Sequence, residues 1–435
     1  MIFGKRAEQG LKYARARAKI DEFSADLSKI PRFPFDSDDL CFESILTISD
    51  ALNELLAESH ITTATRRDLS YTASFLDAAA NEKRHLQSKD LFLTLACASY
   101  FLLGNYGSSK STLARICKTD AFGENARRYL LMTDYLLNGK KNDSFPFPLL
   151  ASYMEGNFDD YVAVLEEAAR KTAKGDAEED FFADVINACA LVSVRDAAAT
   201  LLPLYSGIER TSWIPILQSI GFGKLLWQAQ QRIGEGGAFA GSDLFIQLPT
   251  GSGKTKSIEL LVRSRMLANR CHRAIVVAPL RALCSEIAKE LRDGLSDVAC
   301  VRYATDAFEV DAWLGANSLM PEVLVFTPEK LSFVLHHSDL KAEDLDLFIF
   351  DESHLIDDAS RGPSYELLLA EIMASRGDAQ LVLISAVTSN PDKLSEWAFS
   401  DSSKYTKNDG IESTEKTIGF FSQEAGKIAY GTPER

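Results

Sequence analysis

The feature that most constrains this chain is the stretch Pro249-Thr250-Gly251-Ser252-Gly253-Lys254-Thr255, set between an apolar run at 244–247 and a segment with Ile258, Leu261 and Val262 at helical spacing. A strand that turns through glycines into a helix satisfies that order. The glycines let backbone N–H groups close on a phosphate, and the helix N-terminus favours its negative charge. Lys254 can then reach the β/γ oxygens and Thr255 can ligate magnesium. These residues predict a nucleotide site for ATP and Mg2+, built on Thr250, Gly251, Ser252, Gly253, Lys254 and Thr255.

Further apolar runs at 274–278, 323–326, 347–350 and 381–385 alternate with helical stretches. Short, continuously apolar runs of this kind are strands buried on both faces, so the second half is expected to be a doubly wound α/β domain around a parallel sheet. The run at 347–350 ends in Asp351-Glu352-Ser353-His354, roughly 100 residues after the phosphate loop. A carboxylate at the carboxyl end of a strand can face that loop. Asp351 would hold magnesium through water, and Glu352 would orient or deprotonate an attacking water.

Residues 1 to about 210 follow a different pattern, helix after helix. Asn157 is expected to cap a helix on which Phe158, Tyr161, Val162, Leu165 and Ala169 share one face, opposite Asp159, Asp160, Glu166 and Glu167. Ala98-Ser99-Tyr100 followed by Gly104-Asn105-Tyr106 is echoed by Ala151-Ser152-Tyr153 followed by Gly156-Asn157-Phe158. The echo resembles a tetratricopeptide-style helical hairpin used twice, too few copies for a solenoid. Breaks are expected at 139–144, ahead of Phe145-Pro146-Phe147-Pro148, and at Lys174-Gly175-Asp176. Arg15, Arg17 and Lys19 in the first helix are read as a solvated face in preference to a nucleic-acid contact. The expected organisation is an all-helical region over 1–210, an ATP-binding domain over 211–400 and a connector over 401–435.

A length of 435 residues accommodates roughly two to three domains. The formal net charge of −15 excludes a surface that binds phosphate throughout and leaves room for a local basic groove. Seven cysteines without a CxxC or other metal-ligand spacing suggest reduced thiols, with no zinc site and no disulfide framework. No secretion signal follows Lys5, Arg6 and Lys12, and the apolar run 91–103 is too short to span a bilayer. A cytoplasmic protein with no membrane partner is expected. His336 and His337 lack ligand partners and are assigned to the surface, Cys284 to packing.

The sequence from Asp351 to Asp358, with Arg361-Gly362-Pro363 and Glu366, resembles motif II and its downstream turn in the superkiller-like branch of superfamily two DExH-box helicases. Ser385-Ala386-Val387, with Asn390 and Trp397, is similar to that branch's motif III. Trp227 and Gln230 resemble the element that reads adenine, Pro279 to Leu283 resembles motif Ia, and Thr327 to Leu331 resembles motif Ib. The likeness covers roughly residues 215 to 430. It implies a RecA-like P-loop domain, catalytic roles for Lys254, Asp351, Glu352 and His354, and strand contacts by Pro279, Arg281, Thr327 and Pro328. Ser385 and Ala386 would couple hydrolysis to movement. Two departures stand out. Leu248 replaces the glycine of the general phosphate-loop pattern, as is common in helicases. Val387 stands where the family has a threonine that links motif III to motif II, and Thr388 is the candidate substitute.

The resemblance implies an ATP-dependent helicase or translocase acting on DNA or RNA, as a single strand or a duplex junction, since backbone contacts do not distinguish the two acids. The alternative is a nucleotide- and strand-binding module with little turnover that acts as a scaffold. Family motors hydrolyse ATP between two RecA-like domains, the second supplying arginine fingers. The tail, with Lys416-Thr417-Ile418-Gly419-Phe420-Phe421, resembles the connector to that second domain, so the chain is read as the front part of a longer helicase completed in cis or in trans. A long helical segment ahead of the motor is similar in layout to bacterial anti-phage helicases of the Hachiman type, which implies a nuclease partner.

Overall fold

The computed structural model describes residues 37–82, 85–117, 122–140, 152–219, 222–249, 252–303, 320–386, 388 and 390–406, and the backbone of 418–422 and 427–431. The basic residues near the amino terminus, the 145–148 segment, Thr250, Gly251, Val387, Lys416 and Thr417 lie outside the described residues. The chain divides into two compact units. One comprises residues to 199 with 214–227 and 413–435, the other residues 200–213 with 228–412. The chain therefore crosses between units more than once around the boundary expected at 210.

The first part is helical, as its periodicity requires. Its helices are α1 (Ser37–Glu58), α2 (Thr63–Ala79), α3 (Lys89–Leu103), α4 (Tyr106–Leu113), α5 (Glu124–Asn138), α6 (Phe158–Ala173) and α7 (Ala177–Arg195). Then come α8 (Ala198–Ser206) and α9 (Arg210–Gln218), each with an internal proline. The apolar run at 91–103 is α3, buried at every position from Phe92 to Leu103, which makes it a core helix. On α6 the expected face is buried at Tyr161, Leu165 and Ala169, with the acidic residues exposed. Asn157 stands at the N-cap of α6, but its side chain makes no capping hydrogen bond. Side-chain capping is found instead at α7, where Asp176 accepts from the N–H groups of Glu178 and Glu179. No helix among the described residues is long and apolar enough to cross a membrane.

The sequence echo is a repeated corner. Gly104 and Gly156 adopt φ of 78° and 81°, which only glycine takes without strain, and Asn105 and Asn157 follow at φ/ψ of −82°/61° and −81°/65°. The aromatic residues flanking each turn meet edge to face, Phe101 with Tyr106 at 5.3 Å and Tyr153 with Phe158 at 5.4 Å. Superposing the glycines aligns Phe101 with Tyr153, one residue away from the alignment that letter matching suggests. The hydroxyls of the two corners converge on the end of α7. Tyr106 O–H donates to Asp196 at 2.5 Å, Arg195 donates to both oxygens of Asp196, and Tyr153 O–H donates to the Ser193 carbonyl.

After α10 (Gln228–Glu235) the chain alternates strand and helix: β1 (Leu244–Gln247), α11 (Lys254–Leu267), β2 (Arg273–Val277), α12 (Arg281–Leu295) and β3 (Cys300–Tyr303). Next come β4 (Glu322–Phe326), α13 (Pro328–His337), β5 (Leu347–Phe350), α14 (Gly362–Ser375), β6 (Gln380–Ser385), α15 (Pro391–Phe399) and β7 (Tyr405–Thr406). All these strands pair in parallel in the order β3-β4-β2-β5-β6-β1-β7. This is the expected RecA-like parallel sheet following a helical region. The strands β3 and β7 carry no apolar run: β3 buries only Val301, and β7 has two residues. β7 carries the domain past residue 400. A separate antiparallel hairpin joins β8 (Ile418–Ser422) to β9 (Lys427–Gly431).

Tyr106→Phe leaves the buried Asp196 carboxylate one hydrogen bond short and is expected to destabilise the helical unit by about 1–3 kcal/mol. Tyr135→Phe removes a buried hydroxyl that has no hydrogen-bond partner and should be neutral or slightly stabilising. Urea unfolding followed by circular dichroism distinguishes the two.

Candidate functional site

In a parallel sheet every strand ends at the same edge, and segments that leave neighbouring strands meet there. The register makes this specific. Phe326, Val277 and Phe350 lie in one row across β4, β2 and β5, and Gln247 of β1 stands beside Ser385 of β6. The phosphate loop, the acidic box, Ser385-Ala386, Pro279 and Thr327 therefore all emerge at one edge.

Gly253, with φ of 85°, is the N-cap of α11 and turns the loop into the helix. Lys254 and Thr255 occupy the first turn, and Ser252 is buried with its hydroxyl donating to the Pro249 carbonyl at 2.7 Å. Lys254 Nζ lies 2.7 Å from Glu352 Oε1, in a pair largely shielded from solvent, with side-chain exposures of 12% and 22%. Glu352 adopts φ of 54°, a left-handed conformation that disfavours any residue with a Cβ and marks a constrained turn at the end of β5. Its N–H donates to Asp351 Oδ1 at 2.9 Å. His354 Nδ1 stands 3.3 Å from Glu352 Oε2, a buried oxygen that no hydrogen bond reaches.

Burial pushes the Asp351 carboxyl up to about 6; the Lys254 ammonium opposes this rise and the Glu352 carboxylate adds to it. Behind the box, Tyr365 of α14 packs edge-on to Phe350 at 5.7 Å, with its hydroxyl buried and without a hydrogen-bond partner. Two carboxylates and one ammonium thus share a recessed site. An anion at Lys254 and a cation beside Asp351 would relieve both charges, which suits a magnesium-bound polyphosphate.

Ser385 is buried at the end of β6, and Thr388 Oγ1 donates to its hydroxyl at 3.0 Å. The Thr388 carbonyl accepts from Gln247 Nε2 at 3.3 Å. Ser353 adds a link that the motif comparison gave no reason to expect, donating from its buried hydroxyl to the Ile384 carbonyl at 2.9 Å. The acidic box and the β6 segment are therefore joined through Ser353, with Thr388 hydrogen-bonded beside it.

Gln230 is buried on α10. Arg281 begins α12 and is exposed, and Thr327 caps α13 with its hydroxyl accepting from Lys330 N–H, Pro328 following at the first helical position. The β2 and β4 ends carrying Pro279 and Thr327 are joined by Ala278 N–H donating to the Phe326 carbonyl at 3.0 Å. His336 and His337 are exposed, and Cys284 is buried in α12.

Residues 228–394 match the family model described as DEAD/DEAH box helicase. The ATP-dependent DNA helicase Hel308 of Pyrococcus abyssi is 31% identical over 162 residues, which are 37% of this chain and 22% of that protein. Hel308 of Thermococcus kodakarensis is 31% identical over 175 residues, 40% of this chain and 15% of that protein. The matched part thus spans less than a quarter of the length of these two relatives. The crystal structure of the yeast DEAD-box splicing factor Prp28 aligns with a TM-score of 0.34 at 18% identity, covering 44% of this chain and 48% of that one.

An acid whose folded pKa lies above its ordinary value destabilises the fold when ionised, and that penalty is fully present above about pH 6 and vanishes as pH falls below about 4. Asp351→Asn should therefore stabilise the nucleotide-free protein at pH 7 by about 1–3 kcal/mol, a gain that disappears towards pH 4. Unfolding curves at a series of pH values measure it; a gain that instead grows in acid contradicts the assignment.

Proposed function

We propose that this chain is the ATP-binding half of a superfamily two motor, a helicase or translocase that hydrolyses ATP with magnesium and grips one nucleic-acid strand. The observation that carries this reading is the meeting of Lys254 and Glu352 at 2.7 Å across 98 sequence positions, inside the segment that matches the helicase model. Thr255 and Asp351 are the residues that would hold magnesium, which when bound neutralises charge on the transferring phosphoryl group. In this reading Lys254 exchanges Glu352 for phosphate oxygens. Glu352, released, orients the attacking water and accepts its proton, and His354 lies beside it on the side toward solvent. Gln230 reads the base of the nucleotide. Pro279, Arg281, Thr327 and Pro328 contact the strand backbone, and Ser385 and Ala386 couple hydrolysis to movement.

The superkiller-like branch is favoured by the Asp358 and Arg361-Gly362 turn after the acidic box. A Cβ at Gly362 would come 2.5 Å from the Ile356 carbonyl oxygen, so the turn requires glycine. The similarity to ATP-dependent DNA helicases favours DNA as the strand. A second RecA-like domain, in cis or in trans, would complete the cleft with arginine fingers. The helical segment ahead of the motor favours an antiviral defence role of the Hachiman type, with a nuclease partner. Cysteines without disulfide spacing favour the cytoplasm.

Glu352→Gln should retain ATP binding and lower DNA-stimulated hydrolysis by at least about 100-fold, and Lys254→Ala should lose both. The measurement is phosphate release by the chain joined to or mixed with a second RecA-like domain, with single-stranded DNA and RNA compared as activators. Hydrolysis that survives both substitutions rules the motor out.

A further inference from the structure

Arg361 lies seven residues beyond His354, outside the nucleotide site, and its guanidinium joins two segments that leave different strands. Its Nη2 donates to the Pro279 carbonyl at 3.0 Å, at the entry to α12. Its Nε donates to Glu329 Oε1 at 2.8 Å, at the second position of α13, and Nη2 reaches the same carboxylate oxygen. Pro279 and Glu329 belong to the two segments expected to grip a strand, and Glu329 directly follows Thr327-Pro328.

Arg361 is itself pinned to the acidic box. Asp358 Oδ1 accepts from the N–H groups of Ser360 and Arg361 at 2.9 and 2.8 Å, and Gly362 N–H donates to the Asp358 carbonyl at 2.8 Å. Gly362 rests against the Ile356 carbonyl of the short 3-10 helix Ser353–Asp357, which begins directly after Glu352. A recess of about 250 Å³ bordered by Ser332, Leu355 and Tyr365 lies beside the ion pair. At this end of α13 and α14 the segments are thus tied by the guanidinium, and apolar packing does not fill the space between them. A planar fork is suited to this: it can serve a carbonyl and a carboxylate at once, which an ammonium on a flexible stem does poorly.

We infer that Arg361 is a positioning residue, which holds the Pro279 and Thr327-Pro328 segments in register with the acidic box and so sets the affinity for a nucleic-acid strand. This rests on the strand-gripping reading above. The Arg361 guanidinium bonds to Pro279 and Glu329 and to none of the nucleotide-site side chains, so its loss should act on strand binding and leave nucleotide binding intact.

The test uses the full 435-residue chain, a fluorescein-labelled single-stranded DNA oligonucleotide read by anisotropy, and a fluorescent ATP analogue with magnesium. Arg361→Ala is expected to weaken strand binding by about tenfold, with the dissociation constant for the ATP analogue unchanged within about twofold. Arg361→Lys and Glu329→Gln each keep part of the contact and should fall between wild type and Arg361→Ala. They also serve as the reading if Arg361→Ala does not fold. A merely structural role would lower both affinities and the melting temperature together, and that result overturns the inference. So does wild-type strand affinity in Arg361→Ala, or in both partial variants. A wild-type chain that binds the ATP analogue but no strand overturns the strand-gripping reading itself, and this inference with it.

Discussion

Parallel register across β4, β2, β5, β6 and β1 is the constraint on which the rest of this protein depends. Because all these strands run the same way, their carboxyl ends form one edge, and five segments scattered from residue 249 to residue 386 are delivered to it. The backbone of the edge is itself knitted together. Asp351 N–H donates to the Val277 carbonyl, and Leu248 N–H to that of Ser385, each at 2.8 Å. A shift of one residue in a pairing of β5 or β6 would turn Asp351 or Ser385 to the opposite face of the sheet. The burial of β4, β5 and β6 at every position opposes such a shift only through packing of unequal side chains, so the helices on both faces are part of what holds the register.

At that edge the protein keeps charges in a recess without fully compensating them. Asp351 is buried enough that its carboxyl resists ionisation, Glu352 is held in a left-handed turn with one oxygen that no hydrogen bond reaches, and Lys254 is the ammonium beside them. The arrangement is poor for stability and good for a site whose charges are completed from outside. Ser353 and Thr388 then supply hydrogen bonds between the box and β6 that leave the charged groups free for that purpose.

The helical unit solves a different problem. Its core is rich in aromatic residues, and the two repeated glycine corners bring Tyr106 and Tyr153 onto the end of α7, where Asp196 and Ser193 accept their hydroxyl protons. The Asp196 carbonyl also accepts from Leu226 N–H, and Lys224 N–H donates to the Leu136 carbonyl, both at 2.8–2.9 Å, so the buried polar groups fix the path of the chain as far as residue 226. Polar groups at such positions specify one arrangement more strongly than they stabilise it.

The sequence by itself located the candidate site and determined the class of fold around it. Glycine spacing, a lysine at a helix start and an acidic pair after an apolar run are local patterns, and locality is what makes them legible in Lys254, Thr255, Asp351 and Glu352. It also determined the buried face of α6 and showed an echo, read as a helical hairpin used twice, which the structure makes a repeated corner. Tertiary structure alone decided the contacts between distant segments. The edge strand β3 is half polar and leaves no apolar run. The echo registers on its glycines, so Phe101 and not Tyr100 matches Tyr153. Asn157 caps by position without its side chain. The same holds for Ser353 reaching β6 and for Arg361 joining Pro279 to Glu329. Those contacts depend on which strand ends lie side by side, and strand order is set by packing of the whole sheet, a quantity that no short window of residues contains.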